Sequence, residues 1–179
     1  LALACEGAGL AVTQVASTRE ASAQRMAALL VSPCATGCAQ SVADGCDLVF
    51  ITTPDSAIAD TVEGVRWRTG QAVVHCSGAT DVEASLATAH AQGAWIGGFH
   101  PMQTFADPQA AARSLPGCTI TIEARVPELD DWLVDLATRL GCRVNRLPPG
   151  MRARYHAAAG YSSQFINALF AEAARLWGT

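Results

Sequence analysis

Short runs of β-branched and apolar residues alternate with helical segments along most of this chain, and this alternation constrains the fold more than any other feature. Residues 47–53, DLVFITT, form a continuous β-branched and apolar run that Pro54 ends, and residues 71–76, QAVVHC, indicate another buried strand. Such runs are typical of strands buried on both faces of a parallel sheet. Residues 20–30 and 129–140 instead have apolar residues at helical spacing. The sequence therefore predicts an α/β fold with a doubly wound, mainly parallel sheet and helices on both faces.

The same patterns predict the remaining elements as far as residue 148, where the pattern changes. Further strands are expected at residues 10–16, 94–99, 118–123 and 143–147, and further helices at 56–62 and 82–92. After Pro148-Pro149-Gly150, residues 152–177 form one Ala-rich helical stretch that no strand follows. We predict a sheet domain over residues 1–148 and the start of a second, helical domain over residues 149–179.

Composition and charge exclude several classes of function. The 12 Lys and Arg residues are scattered and the net charge is −4, so we expect no nucleic-acid partner. No apolar run approaches the length of a membrane span, about 18 residues. Cys34 and Cys38 are not spaced as C-x₂-C, and no second pair or nearby histidine accompanies them. We expect no metal, and we interpret the seven cysteines as reduced, mostly buried thiols of a cytoplasmic protein.

Three predicted strands end in residues that suit a binding site: Thr53-Pro54, Ser77-Gly78 and His100-Pro101. Ligands of open parallel sheets bind beyond the carboxyl ends of the strands, so these three ends should line one crevice. Pro101 fixes its own φ and biases His100 towards an extended backbone. The sequence thus predicts an imidazole that is held in the crevice. The alternative is a structural histidine bonded to a backbone carbonyl.

A dinucleotide-binding loop has the pattern G-x-G-x-x-G between a strand and a helix. Gly7-Ala8-Gly9 does not fit, because a helix-like stretch precedes it, a predicted strand follows it, and residue 12 is Val. We interpret it as a helix end and turn. The sheet domain is therefore expected to lack its first strand and glycine loop, which makes residues 10–16 its second strand.

Ser17, Thr18 and Arg19 follow that second strand, where a dinucleotide fold faces the adenosine ribose. An acidic residue there selects NAD, whereas two hydroxyls and a guanidinium suit a 2′-phosphate. The sequence therefore predicts NADP rather than NAD as the cofactor. Alternatively, and compatibly, Ser17 or Thr18 is the N-cap of the helix that begins at Glu20.

Four blocks of sequence together resemble one family: HCSGA at 75–79, GGFHPMQTFADP at 97–108, LPGCTITIEA at 115–124 and RARYHAAAGYSSQFINAL at 152–169. The chain resembles the Rossmann-like/DUF2520 family of NADP-dependent oxidoreductases, within the 6-phosphogluconate-dehydrogenase-like superfamily. It is more distantly similar to pyrroline-5-carboxylate reductase and prephenate dehydrogenase. The resemblance implies a Rossmann-like sheet domain, then the first helix of an all-α C-terminal domain. It also implies a homodimer through C-terminal helices mostly absent from this chain.

The resemblance also implies roles for individual residues. His100 looks like the histidine with which prephenate dehydrogenases act on the substrate's hydroxyl or carbonyl group. The pairs Thr53-Pro54 and Ser77-Gly78 match strand ends beside the nicotinamide. His156 lies near the place where superfamily dehydrogenases have a catalytic lysine.

One polar face is expected on the helical stretch at 152–177. His156, Gly160, Ser163 and Asn167 recur at spacings of three and four residues, so they should share that face. We expect it to meet a ligand at the domain junction, with His156 and Ser163 as catalytic candidates and Asn167 as a substrate contact. The alternative is a close helix-packing face. Gln103 and Thr104 are further candidates for the substrate pocket.

The expected function is hydride transfer between the nicotinamide of NADP and a small carbonyl, hydroxy or imine substrate. A histidine with a pKa of about 6.5 could donate or accept the accompanying proton. Ser77 does not fit a hydrolase nucleophile, because the G-x-S-x-G motif needs glycine where His75 stands. We interpret His75 as structural and His90 as solvated. The alternative function is a non-catalytic nucleotide-binding or regulatory module on the same fold.

Overall fold

The computed structural model describes residues 1–105 and 107–178, which form two sheets. The first is a parallel pair, β1 (Gln14–Ala16) and β2 (Ala35–Gly37). The second has five strands, in spatial order β3 (Leu48–Ile51), β4 (Ala72–His75), β5 (Trp95–Pro101), β6 (Thr119–Ala124) and β7 (Arg143–Arg146). Strands β3 to β5 run parallel, β6 is antiparallel to β5, and β7 is parallel to β6. The sheet is therefore mainly parallel, as predicted.

Helices cover both faces of the larger sheet, and further helices follow its last strand in the chain. They are α1 (Ala2–Gly7), α2 (Glu20–Ala27), α3 (Ala39–Gly45), α4 (Ile58–Glu63), α5 (Val82–Ser85), α6 (Ala87–Ala91), α7 (Pro108–Ser114), α8 (Pro127–Arg139), α9 (Arg152–Gly160) and α10 (Ile166–Trp177). A 3₁₀ turn at Asp55–Ala57 precedes α4, and a π-helical turn at Tyr161–Phe165 joins α9 to α10. Among the described residues, no helix is long and apolar enough to cross a membrane.

Strand β4 is buried on both faces, since all four of its residues are buried. In β3, by contrast, buried residues alternate with partly buried ones. One face of the sheet packs against α4, α5 and α6 through Ile58, Val62 and Leu86. The other packs against α8 through Phe99 and the helix's own leucines. Two apolar clusters, one on each side of the sheet, therefore hold the domain together.

Several elements differ from the sequence-based expectation. Strand β1 covers only the end of the predicted strand at residues 10–16, and β2, α3 and α7 were not predicted. All three residues of β2 are exposed, so no hydrophobic pattern marks it. The predicted helix at 82–92 is two helices, because Leu86 leaves helical geometry (φ −110°, ψ 15°) with its side chain fully buried.

A cavity of about 1420 Å³ separates the two sheets, lined by residues of β1 and β3 and by Trp132 and Leu136 of α8. Helix α1 ends in a turn at Gly9 (φ 75°), so Gly7-Ala8-Gly9 is the helix end and turn that the sequence predicts.

The C-terminal region is one helical path from Arg152 to Trp177, and much of its surface is apolar. Large exposed side chains there are Tyr161, Phe165, Leu169, Phe170 and Trp177. The homodimer through further C-terminal helices stays a prediction, as does the division of the chain at residues 148 and 149.

Candidate functional site

The structure places the three predicted strand ends at one edge of the sheet. Ile51 pairs with His75, and His75 pairs with Gly98, so β3, β4 and β5 reach this edge together. Strand β5 does not stop at His100, as the sequence suggested, but continues to Pro101. Its antiparallel partner β6 accompanies it past the end of β4 and pairs Thr121 with His100.

The His100 ring lies against the backbone of the neighbouring strand end. A Cβ atom added to Gly78 would stand 2.8 Å from both Cε1 and Nε2 of this ring. Glycine at position 78 is therefore what allows the imidazole to come so close. On its other side, Nδ1 of His100 is 2.8 Å from the hydroxyl oxygen of Tyr155, and the two rings meet edge to face. The bond seen at the ring is thus to a side chain of α9 rather than to a backbone carbonyl.

A cavity of about 280 Å³ adjoins His100, between the strand ends and helices α1 and α7. Its lining includes Thr52, Cys76, Gln103 and Phe105. Thr52 also lines the larger cavity between the two sheets, so the two spaces adjoin. The predicted residue Gln103 is therefore beside His100, whereas Thr104 is exposed and its backbone N–H donates to the Gln103 side chain.

Burial, together with the nearby charges of Arg152 and His156, lowers the pKa of His100 to about 4. The ring is consequently neutral at pH 7, because a desolvated imidazole disfavours its charged form. The sequence-based expectation of a pKa near the ordinary value is wrong for this reason. A neutral imidazole retains one donor and one acceptor nitrogen.

Arg152 forms the most deeply buried polar contact of the site. Its side chain is 2% exposed, and Nε lies 2.7 Å from the Glu123 carboxylate, itself 4% exposed. Nη1 donates to the Ser77 carbonyl oxygen at 2.6 Å. A Cβ on Gly98 would overlap Nη2, so this mid-strand glycine makes room for the guanidinium. Arg152 therefore clamps the start of α9 onto the ends of β4 and β6.

Sequence reasoning did not assign Glu123 or Tyr155 to the site. Two signals could have indicated this cluster. Gly97-Gly98 stands inside a strand, where glycine often marks a close approach by another group. The alternating run at 118–123 places Thr121 and Glu123 on one face of β6.

The predicted cofactor residues lie on the loops that follow β1, β3 and β4. Ser17, Thr18 and Arg19 are exposed after β1, and the first two line the larger cavity. Arg19 itself precedes α2, and no side chain caps that helix, so the N-cap interpretation of Ser17 or Thr18 is wrong. Pro54 precedes the 3₁₀ turn.

Two hydroxyls at the strand ends differ in their availability to a ligand. The Ser77 hydroxyl contacts the Thr80 hydroxyl at 2.9 Å and accepts from the backbone N–H groups of Ala79 and Thr80, so it holds its own loop. The buried hydroxyl of Thr53 has no hydrogen-bond partner among the described residues. Exposed hydroxyls, a guanidinium and one unpaired buried hydroxyl are chemically suited to the ribose and phosphate groups of a dinucleotide.

The predicted polar face of the C-terminal helix is interrupted. The π-helical turn at Tyr161–Phe165 adds residues to one turn, which rotates the following helix relative to α9. Ser163 lies in this turn and donates to the Ala159 carbonyl oxygen of its own helical stretch. His156 and Asn167 are exposed. The π-helical turn therefore lies between His156 and Asn167 and interrupts the face that the sequence predicts.

The interpretation of His75 as structural agrees with its surroundings. Its side chain is fully buried, and Nδ1 accepts the Ser77 backbone N–H at 3.2 Å. Burial lowers its pKa to about 4, with a further contribution from Arg152.

Comparison with known proteins gives two family matches. Residues 1–101 match the Rossmann-like domain, and residues 118–179 match DUF2520, a domain of unknown function. The chain belongs to the Rossmann-like/DUF2520 family. None of the curated proteins matches its sequence.

Solved structures share the fold of this Rossmann-like/DUF2520 protein. A proposed NADP oxidoreductase from Bacteroides fragilis is 27% identical, with a TM-score of 0.77 over 98% of this chain and 66% of its own. Prephenate dehydrogenase from Aquifex aeolicus is 11% identical, with a TM-score of 0.68 over 84% of this chain and 58% of its own. A reductive aminase from Aspergillus terreus in complex with NADPH4, cyclohexanone and allyl amine is 13% identical, with a TM-score of 0.65 over 96% and 58%. The chain thus spans less than two thirds of each, and the last two show the fold alone.

Proposed function

We propose that this Rossmann-like/DUF2520 protein is an NADP-dependent oxidoreductase that transfers hydride between the nicotinamide and a small carbonyl, hydroxy or imine substrate. The observation that carries the proposal is the position of His100 at the edge where β3, β4 and β5 end. A cavity of about 280 Å³ adjoins the imidazole there, and its lining includes Thr52 and Cys76 beside the ends of β3 and β4. NADPH, when bound, supplies the hydride.

Different residues of the chain bind different parts of the cofactor and the substrate. Arg19, with Ser17 and Thr18, binds the 2′-phosphate, because a guanidinium makes strong charge-assisted bonds to phosphate oxygens. Thr53 and the Gly78 backbone lie beside the nicotinamide. His100 makes a hydrogen bond to the substrate's oxygen or nitrogen, where charge develops during the reaction.

Cofactor choice gives the first test, and it uses the intrinsic fluorescence of the reduced nicotinamide. NADPH is expected to bind more tightly than NADH, and Arg19→Ala should weaken NADPH binding roughly 10- to 100-fold, as for the loss of a hydrogen bond to a charged group. NADH binding should stay unchanged. Arg25→Ala is a matched control, because Arg25 is exposed on the same helix and contacts only Ser22 in the hydrogen bonds seen there. Equal losses for both cofactors would contradict the assignment of the 2′-phosphate site.

Turnover separates an oxidoreductase from a non-catalytic nucleotide-binding module, the second candidate function on this fold. NADPH oxidation is measured against a panel of small ketones, aldehydes and preformed imines, with the wild type and with His100→Ala. We expect at least one panel member to be reduced and the variant to lose most of that rate while still binding NADPH. Binding without turnover, and without any effect of His100→Ala, would favour the module.

A further inference from the structure

A row of polar side chains leads from β7 across the sheet to His100. Asn145 Nδ2 donates to Thr121 Oγ1 at 3.1 Å. The Thr121 side chain lies near the Tyr155 hydroxyl and acts to lower the pKa of that group, against the larger effect of burial, which raises it. That hydroxyl is 2.8 Å from His100 Nδ1. The row therefore connects three strands and one helix by side chains alone.

The sheet register explains why these groups are so well placed. His100 pairs directly with Thr121 across β5 and β6, and Thr121 pairs directly with Asn145 across β6 and β7. Directly paired residues project from the same face of a sheet. Tyr155 then reaches this face from α9, one helical turn after Arg152, whose buried ion pair with Glu123 holds the start of that helix on the sheet.

The donors of this row can all be arranged in one direction. Asn145 Nδ2 can only donate, so Thr121 Oγ1 accepts from it and retains its own proton as a donor towards Tyr155. With its oxygen accepting there, the Tyr155 hydroxyl directs its own proton to Nδ1 of His100, 2.8 Å away. A neutral imidazole that accepts at Nδ1 must carry its proton on Nε2, which is the nitrogen beside Gly78.

We propose that Tyr155 is a positioning residue that fixes His100 as the Nε2–H tautomer, so that the neutral ring presents an N–H donor to the substrate atom that gains charge. The part of this proposal that concerns turnover rests on the proposed oxidoreductase function. The assignment of the tautomer does not depend on that function. A donor that is already oriented needs no reorganisation when the charge develops, which is how such groups lower a barrier.

The tautomer is tested by long-range ¹H–¹⁵N correlation spectra of the full chain labelled with ¹⁵N in its histidine rings. The chain has four histidines, and the signals that disappear in His100→Gln identify His100. At pH 7 we expect Nδ1 to be an unprotonated acceptor with the shift of a hydrogen-bonded nitrogen, and Nε2 to carry the proton. A proton on Nδ1 in the wild type would overturn the proposal.

Two variants show whether Tyr155 causes this state. Tyr155→Phe keeps the ring and removes the hydroxyl, so the Nδ1 signal should move to the position of an unbonded acceptor. Tyr161→Phe is the matched control, since Tyr161 is exposed and stacks on Phe165 away from this row. An unchanged His100 spectrum in Tyr155→Phe would also overturn the proposal. Unchanged far-ultraviolet circular dichroism confirms that the variants fold.

Turnover distinguishes failure of this proposal from failure of the proposed function. With a panel substrate that is reduced, Tyr155→Phe should lower kcat roughly tenfold, about the effect of one hydrogen bond, and leave NADPH binding unchanged. If the spectra are as expected and no substrate is reduced, the tautomer assignment stands and the oxidoreductase function fails. If turnover is found but kcat is equal in Tyr155→Phe and the wild type, the role of Tyr155 in positioning is wrong.

Discussion

The ion pair between Arg152 and Glu123 gives the strongest expected effect on stability. Both side chains are almost completely buried, and their closest N–O distance is 2.7 Å. Replacement of Arg152 by Met removes the guanidinium and leaves the Glu123 carboxylate in the protein interior without a counter-charge. The Ser77 carbonyl oxygen also loses its donor.

Breaking one partner of a buried pair costs about 3–5 kcal/mol, because an uncompensated charge remains. We therefore expect Arg152→Met to lower the free energy of unfolding by about that amount. The double variant Arg152→Met/Glu123→Leu removes both charges, so it should be more stable than Arg152→Met alone. Only the unpaired Ser77 carbonyl then remains, at a cost of about 1–3 kcal/mol.

Urea unfolding followed by tryptophan fluorescence measures these energies, since Trp95 and Trp132 pack together beside the sheet, with ring centroids 5.3 Å apart. The double-mutant cycle should show a large positive coupling between the two residues. The destabilisation in Arg152→Met should also shrink as the pH falls, because the isolated carboxylate becomes protonated. A cost below about 1 kcal/mol for Arg152→Met, or strictly additive single effects, would refute the reasoning.

Two further predictions concern the neighbouring histidines. In Gly78→Ala the new Cβ would displace the His100 ring from the strand end. The rate of reduction of a panel substrate should therefore fall at least about tenfold. An unchanged rate would show that the placement of the His100 ring does not matter for turnover. His75 has a pKa of about 4 in the folded chain against 6.5 as its ordinary value, so the unfolded state binds its proton first as the pH falls below 6.5. Stability that is fully present above pH 6.5 is therefore lost towards pH 4, on the order of 3 kcal/mol from this residue. Urea titrations at both pH values should show a smaller loss of stability in His75→Asn, which retains an acceptor for the Ser77 N–H. An equal loss in the variant and the wild type would contradict the assignment of this pH dependence to His75.

The sequence predicted the sheet well because burial on both faces leaves a plain signal. Strand β4 has three apolar residues in succession and is buried throughout, and the order of strands and helices then restricts the topology. Strand β2 left no such signal, because its three residues are exposed and its pairing with β1 is set by tertiary contacts. The antiparallel direction of β6 was likewise not predicted, because alternating hydrophobicity is similar in both directions.

Only those parts of the site that depend on neighbouring residues in the sequence could be predicted. The ends of β3, β4 and β5 could be placed at one edge, because parallel strands share their carboxyl ends. The hydrogen-bond partner of His100 could not be predicted, because Tyr155 is 55 residues away in the sequence and reaches the ring only when α9 packs on the sheet. The π-helical turn also escaped prediction, since one extra residue in a turn changes which side chains share a face without changing the helical pattern.

The central claim is that the carboxyl ends of β3, β4 and β5 hold the nicotinamide beside His100. The most direct measurement is a crystal structure of the complete protein with NADPH bound. We expect the reactive C4 atom of the nicotinamide to face the cavity next to the His100 imidazole, with the 2′-phosphate beside Arg19. A cofactor bound at the opposite edge of the sheet, or an imidazole that faces away from the nicotinamide, would contradict the account.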